Sequence, residues 1–224
     1  MTIITTTRQA PPTLWNRLGW RHVLWTVMAA ATISVFFYSE VPLLHQARER
    51  AHIHALRWLL IPHAIAGTVA FVVGPTQFSN HLRRRFLWLH RVLGRVYVGC
   101  VFLAAPLAIA STAFHDYPKA YYFQAAIAVQ GGAWLMTTGV AFFAAMQRRI
   151  AQHRAWMVRS YAVTFTFVGT RVLQPIPAWN RLGAFRFAAA IVCVTLLATV
   201  TPQIARGLSY LAKRYVQVPG RAEA

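Results

Sequence analysis

The sequence predicts an all-α fold: a polytopic membrane helix bundle of about six transmembrane helices with both termini on the cytoplasmic side (N-in/C-in). Three observations predict it. The chain of 224 residues is 57% hydrophobic and only 12% charged. Its apolar residues fall into six runs, roughly 22–38, 58–78, 88–111, 121–146, 158–174 and 185–207. Each is close to the ~20 residues that cross about 30 Å of hydrocarbon at 1.5 Å per residue. The charge is also lopsided. Alternating the six runs across a bilayer gathers 16 of the 23 Lys and Arg residues on the side that holds the termini and the loops 79–87 and 147–157. An excess of Lys and Arg marks the cytoplasmic side of a membrane protein. The net charge of +19, which in a soluble chain would suggest nucleic acid, is therefore read as topology. No nucleic-acid partner is expected, and the basic face attracts anionic lipid headgroups.

This reading divides the chain into a cytoplasmic segment 1–21, a single transmembrane domain 22–207 with core helices across 58–175, and a basic cytoplasmic tail 208–224. The helices and short loops use nearly the whole length and leave no room for a soluble domain. Residues 1–21 are polar and carry Arg8, Arg17 and Arg21. The run that follows is longer than a signal-peptide core and lacks a small-residue cleavage site, so it is read as a retained helix. Residues 43–57 form an amphipathic connection in which His45, Glu49 and His52 share one helical face. Two imidazoles and a carboxylate suit zinc or a similar ion; the simpler reading is a polar face on the outer interface.

The second run carries His63 about one turn inside its outer end and closes with Gly74-Pro75-Thr76-Gln77, a helix-ending pattern. The third opens with 80–97, NHLRRRFLWLHRVLGRVY, which contains Arg83, Arg84, Arg85, His90, Arg91, Gly94, Arg95 and Tyr97. The fourth has an outer aromatic belt, Tyr121 and Tyr122, and then the small and weakly polar residues of a helix–helix seam, Gln130, Gly131, Gly132, Thr137 and Thr138. The fifth opens with 153–167, HRAWMVRSYAVTFTF, and ends near Arg171. An arginine at that depth is accommodated by snorkelling to the outer interface or by a bound anion. The sixth run is plain apolar. Cys100 and Cys193 are single and mid-run, and are read as small core hydrophobes.

The acids exclude several functions. There are four in the chain and none inside a predicted span. Proton-coupled transporters depend on intramembrane carboxylates, cation pores on acidic or carbonyl rings, and neither HExxH nor GxSxG is present. What remains for chemistry is imidazole, guanidinium, phenol and indole. These suit haem b ligation, because a haem in a helix bundle takes one or two axial imidazoles from facing helices. His90 and His153 are candidate inner ligands, and His63 and His115 outer ones. Arg91, Arg95, Arg154, Arg159 and Arg171, with Tyr97 and Trp156, are candidates to contact the bound group. The fourth run has no histidine, which departs from a two-haem arrangement.

The blocks His63-Ala-Ile-Ala-Gly67, Gly74-Pro75-Thr76-Gln77-Phe78, His90-Arg91-x-x-Gly94-Arg95-x-Tyr97 and His153-Arg154-x-Trp156-Met157-x-Arg159-Ser160-Tyr161 resemble the signature of a bacterial family of predicted membrane proteins (domain of unknown function 2306). The resemblance covers about 58–175. It implies a bacterial inner-membrane location and one shared site for these residues, and no activity. A more distant likeness to two-haem membrane cytochromes b rests on helix count and histidine placement. Three functions fit these observations: a haem-binding electron-transfer protein; a non-catalytic scaffold, partner subunit or homo-oligomer that binds lipid or anions; and a small-anion transporter.

Overall fold

The computed structural model describes residues 55–114, 120–173, 176–177, 181 and 183–216, with nine further residues between 26 and 38. No strand occurs among them. The helices are α1 (Arg57–Thr76), α2 (Asn80–Arg85), α3 (Leu87–Ala113), α4 (Ala120–Met146), α5 (Ile150–Leu173) and α6 (Gly183–Val216). By length and composition, four are apolar enough to cross a bilayer: α1, α3, residues 121–146 of α4 and residues 183–204 of α6. Of the six spans expected, the first lies largely outside the described residues, and the fifth is a helix too polar to count by composition. The polarity of α5 is turned inward, because Arg159, Ser160, Thr164 and Thr166 are all buried.

Two expected loops are in part helical. Within 79–87, Ser79 caps α2 by accepting from the Leu82 N–H at 3.2 Å, and the bent backbone of Phe86 separates α2 from α3. Within 147–157 only a tight turn remains, with Arg148 at φ 58°, so His153 and Arg154 stand on α5 itself. The Gly74–Gln77 pattern ends α1 as expected.

The long helices run up and down. Paired contacts fix each antiparallel neighbour: Gln77 of the α1 end lies against Gly94 of α3, Gln124 of α4 bonds the Thr112 carbonyl of α3, and Gln130 of α4 bonds Thr166 of α5. α1 packs along α3, α3 along α4, and α4 along α5, while α1 meets α5 only lightly. α6 lies outside this ring against α4 and α5. It follows that α3 and α5 are parallel and occupy diagonal corners. The main core is built where the four ring helices converge, on Ala70, Tyr97, Val101, Ala104, Trp134, Ala141 and Val163. Ala126, Ala188 and Ile191 seat α6 on α4.

The small residues in this core permit close helix approach. At Gly74 an added methyl would collide with the Tyr161 ring and come within 3.3 Å of Tyr97. Cys100 is half-buried, whereas Cys193 is exposed on α6. Cys193 therefore sits on the outer surface of the bundle rather than in its core.

Candidate functional site

The two sequence blocks meet at one buried rung. The Tyr97 hydroxyl of α3 lies 2.8 Å from Ser160 Oγ and 2.9 Å from Thr164 Oγ1 of α5. Thr138 of α4 completes the set, 2.7 Å from Ser160. Tyr97, Ser160 and Thr138 have no solvent exposure at all. Thr164 also donates to the Ser160 carbonyl at 3.0 Å, so each oxygen in this dry interior has a partner. The Trp134 indole N–H lies near the Tyr97 hydroxyl, but without the geometry of a hydrogen bond. Below the rung, the Tyr161 ring rests against Gly74 and its hydroxyl donates to the Phe71 carbonyl at 3.3 Å. Tyr97, Tyr161 and Gly74 are thus committed to holding α1, α3, α4 and α5 in register.

The rung also fixes the level of two histidines. His90 precedes Tyr97 by seven residues on α3, and His153 precedes Ser160 by seven on α5. At 1.5 Å per residue both sit about 10 Å from the rung, toward the arginine-rich end. They therefore sit at one depth on diagonal corners, and His153 is an electrostatic neighbour of His90. The His153 Nδ1–H donates to the Ala141 carbonyl at 2.9 Å. A carbonyl only accepts, so this bond sets the tautomer and leaves the lone pair on Nε2. His90 Nδ1 is buried with no hydrogen-bond partner among the described residues. Arg83 and Arg91 are its cationic neighbours.

His63 does not join this pair. Its Nδ1 donates to the Ala104 carbonyl at 2.8 Å, and Ala104 lies 14 residues along α3 from His90, about 21 Å of helix rise. His115 and the trio His45, Glu49 and His52 lie outside the described residues. No cluster of three or more His, Cys, Asp or Glu side chains that could hold a metal ion occurs among the described residues.

The arginines divide three ways. Arg91, Arg95 and Arg154 are exposed at the same end as the histidine pair. Arg159 is buried and turns toward α6. Its guanidinium lies 4.5 Å from the centre of the Trp156 ring, Nη1 donates to the Ala155 carbonyl at 3.2 Å, and Nε and Nη2 meet the amide oxygen of Gln203. Trp156 and Arg159 therefore form a cross-link to α6. Arg171 is exposed at the far end, at the edge of a cavity of about 350 Å³.

That cavity had no distinct signal in the sequence. It lies in the half of the bundle opposite the histidine pair, between α1, α3, α4, α5 and α6, and His63, Gln130 and Arg171 are among its polar walls. Gln130 was legible only as a weakly polar seam residue; its Nε2 donates to Thr166 Oγ1 at 2.8 Å.

The family model described as a predicted membrane protein (DUF2306) matches residues 60–205. No curated protein and no solved structure matches the chain. The chain belongs to the DUF2306 family of predicted membrane proteins.

Proposed function

We propose that this DUF2306 protein holds a b-type haem between His90 and His153 and passes single electrons within the membrane. The observation that carries the reading is the common depth of two imidazoles on diagonal helices, each seven residues from one shared rung. Bound there, a haem supplies a one-electron iron couple whose potential is tuned by axial imidazoles and their hydrogen bonds. The residues fit the group. His153 is oriented by a backbone carbonyl, the usual outer-shell partner of a ligating imidazole. The unpartnered Nδ1 of His90 is a buried polar atom whose desolvation costs about 1–3 kcal/mol, and a bound group that engages the ring offsets that cost. Arg83 and Arg91 beside His90 supply the positive charge that haem carboxylates need.

The test is an absorption spectrum of detergent-purified protein, oxidised and then reduced with dithionite, from cells supplied with a haem precursor. The expected result is a reduced b-type spectrum that disappears in His90→Ala and His153→Ala and persists in His63→Ala. A colourless protein that is still folded contradicts the reading.

A second reading, lipid binding at the same end, is favoured by the exposed guanidinium groups of Arg84, Arg85, Arg91, Arg95, Arg148, Arg149 and Arg154. No Asp or Glu stands among the described residues to pair with them. Anionic phospholipid headgroups complement such a belt. On this reading, native mass spectrometry detects retained phosphatidylglycerol in the wild type and loses it when Arg84, Arg85 and Arg149 are changed together to Gln. Equal retention in the variant argues against it.

A further inference from the structure

The cavity in the half of the bundle opposite the histidine pair has a volume of about 350 Å³, within the range of small-molecule sites. It is long. Its lining residues run from Leu60 to Val72 on α1 and from Phe123 to Trp134 on α4, about 18 Å and about 16 Å of helix rise. That is close to the depth of one leaflet, half of about 30 Å of hydrocarbon. Most of the wall is apolar, with Leu60, Phe71, Ile127, Phe167, Val168 and Ile191 among its residues. Much of its polar lining is already engaged within the protein. His63 Nδ1 donates to the Ala104 carbonyl, Gln130 donates to Thr166, and Thr164, at the inner end, belongs to the rung. Ser111, Thr112 and Thr170 each donate to a carbonyl of their own helix. Arg171 differs from these. It stands exposed in the last turn of α5, at the outer end of the cavity, and no Asp or Glu stands among the described residues. Arg186, near the start of α6 at the same end, is exposed too. Thr68 and Val72 line the cavity and are also exposed, and α1 meets α5 only lightly, so the cavity reaches the flank of the bundle where lipid lies.

We infer that this cavity binds one long-chain fatty acid, with its carboxylate at Arg171 and its tail running inward toward Trp134. The apolar wall matches the tail in length, and the one cationic lining residue stands where the head of an outer-leaflet chain lies. A tail gains little in passing from lipid to an apolar wall, because lipid is equally apolar, so the head decides what binds. A guanidinium takes a carboxylate through two parallel hydrogen bonds. A neutral lipid leaves Arg171 unused, and a phospholipid brings two chains to a slot one chain wide. The inference does not rest on the haem reading, because neither His90 nor His153 lines the cavity. It is also separate from the arginine belt, which lies at the other end of the bundle.

The test titrates tritiated palmitate into the detergent-purified full chain in a scintillation proximity assay, with thermal unfolding followed in parallel. The expected result is saturable binding by the wild type and at least tenfold weaker affinity in Arg171→Gln at an unchanged unfolding temperature. Hexadecanol, with the same tail and a neutral head, is expected to compete at least tenfold more weakly than unlabelled palmitate in the wild type, and equally with it in Arg171→Gln. Gly67 supplies a second variant. It lines the cavity, and a Cβ added there meets nothing within 4 Å. Gly67→Leu therefore grows into the space for the tail, leucine also favours helix over glycine, and palmitate affinity is expected to fall at least tenfold. No saturable binding by the wild type, wild-type affinity in folded Arg171→Gln or Gly67→Leu, or competition by hexadecanol as strong as by palmitate in the wild type overturns the inference. Competition by phosphatidylglycerol as strong as by palmitate overturns it as well, because it assigns the cavity to a phospholipid chain. Colour loss in His90→Ala tests the haem reading separately and leaves this titration unaffected.

Discussion

Tyr97 shows how a family motif divides between architecture and chemistry. Its hydroxyl is the only group that reaches from the α3 corner to Ser160 and Thr164 at the α5 corner in the buried rung described here. Tyr97→Phe removes both contacts while Ser160 keeps Thr138. Interhelical hydrogen bonds in membranes average about 0.6 kcal/mol each, so the variant is expected to lose about 1 kcal/mol in a denaturant-unfolding titration. Gly74→Ala acts through sterics at the same place. Overpacking a filled core costs about 1–3 kcal/mol, and the new methyl meets the rings of Tyr161 and Tyr97. An unfolding midpoint equal to wild type in Gly74→Ala contradicts this packing. Much of this was latent in the sequence: the blocks were visible, and so was their shared spacing of histidine, arginine and tyrosine. What spacing alone withheld was rotation. In a nearly uniformly apolar bundle no periodic face says which way a side chain points, so neither the place of Tyr97 in the rung nor the turn of Arg159 toward α6 is readable from spacing.

Among the elements, α5 departs most from a simple hydropathy reading. The sequence places its span at 158–174, whereas the helix runs from Ile150 to Leu173. The early start is possible because α4 and α5 are joined by a turn of a few residues. The turn is closed by Arg149 N–H to the Ala144 carbonyl at 2.8 Å and Arg148 N–H to the Ala145 carbonyl at 3.0 Å. Arg148 sits there in the left-handed region, where an L-residue other than glycine is disfavoured by about 1–2 kcal/mol. Arg148→Gly is expected to raise thermal stability by about 1 kcal/mol, part of the relief being offset by glycine's greater chain entropy. A lowered unfolding temperature contradicts that account. The turn matters for function because it places His153 on a helix rather than in a loop. A histidine on α5 is held at a fixed depth opposite His90, and the carbonyl of Ala141 on the adjoining helix can orient it. α1, α3, α4 and the apolar part of α6 were legible from run length alone, because their membrane-facing surfaces need no pattern beyond continuous hydrophobicity.

At the scale of the whole molecule, the bundle separates two environments: an arginine-rich end with the histidine pair, and a largely apolar half with the cavity, the tyrosine rung lying between them. The same charge asymmetry sets the expected orientation. A green fluorescent protein fused to the C-terminus is expected to fluoresce, and an alkaline phosphatase fusion there to be inactive; the reverse pattern contradicts N-in/C-in. The central claim concerns one group, held by two histidines and not by a third. Its most direct test is a pyridine haemochrome assay on purified wild type, His63→Ala, His90→Ala and His153→Ala, each normalised to folded protein. The account predicts one haem b per chain in the wild type and in His63→Ala, and none in His90→Ala or His153→Ala. Folded wild type without haem, or an undiminished haem content in His90→Ala and His153→Ala, contradicts it.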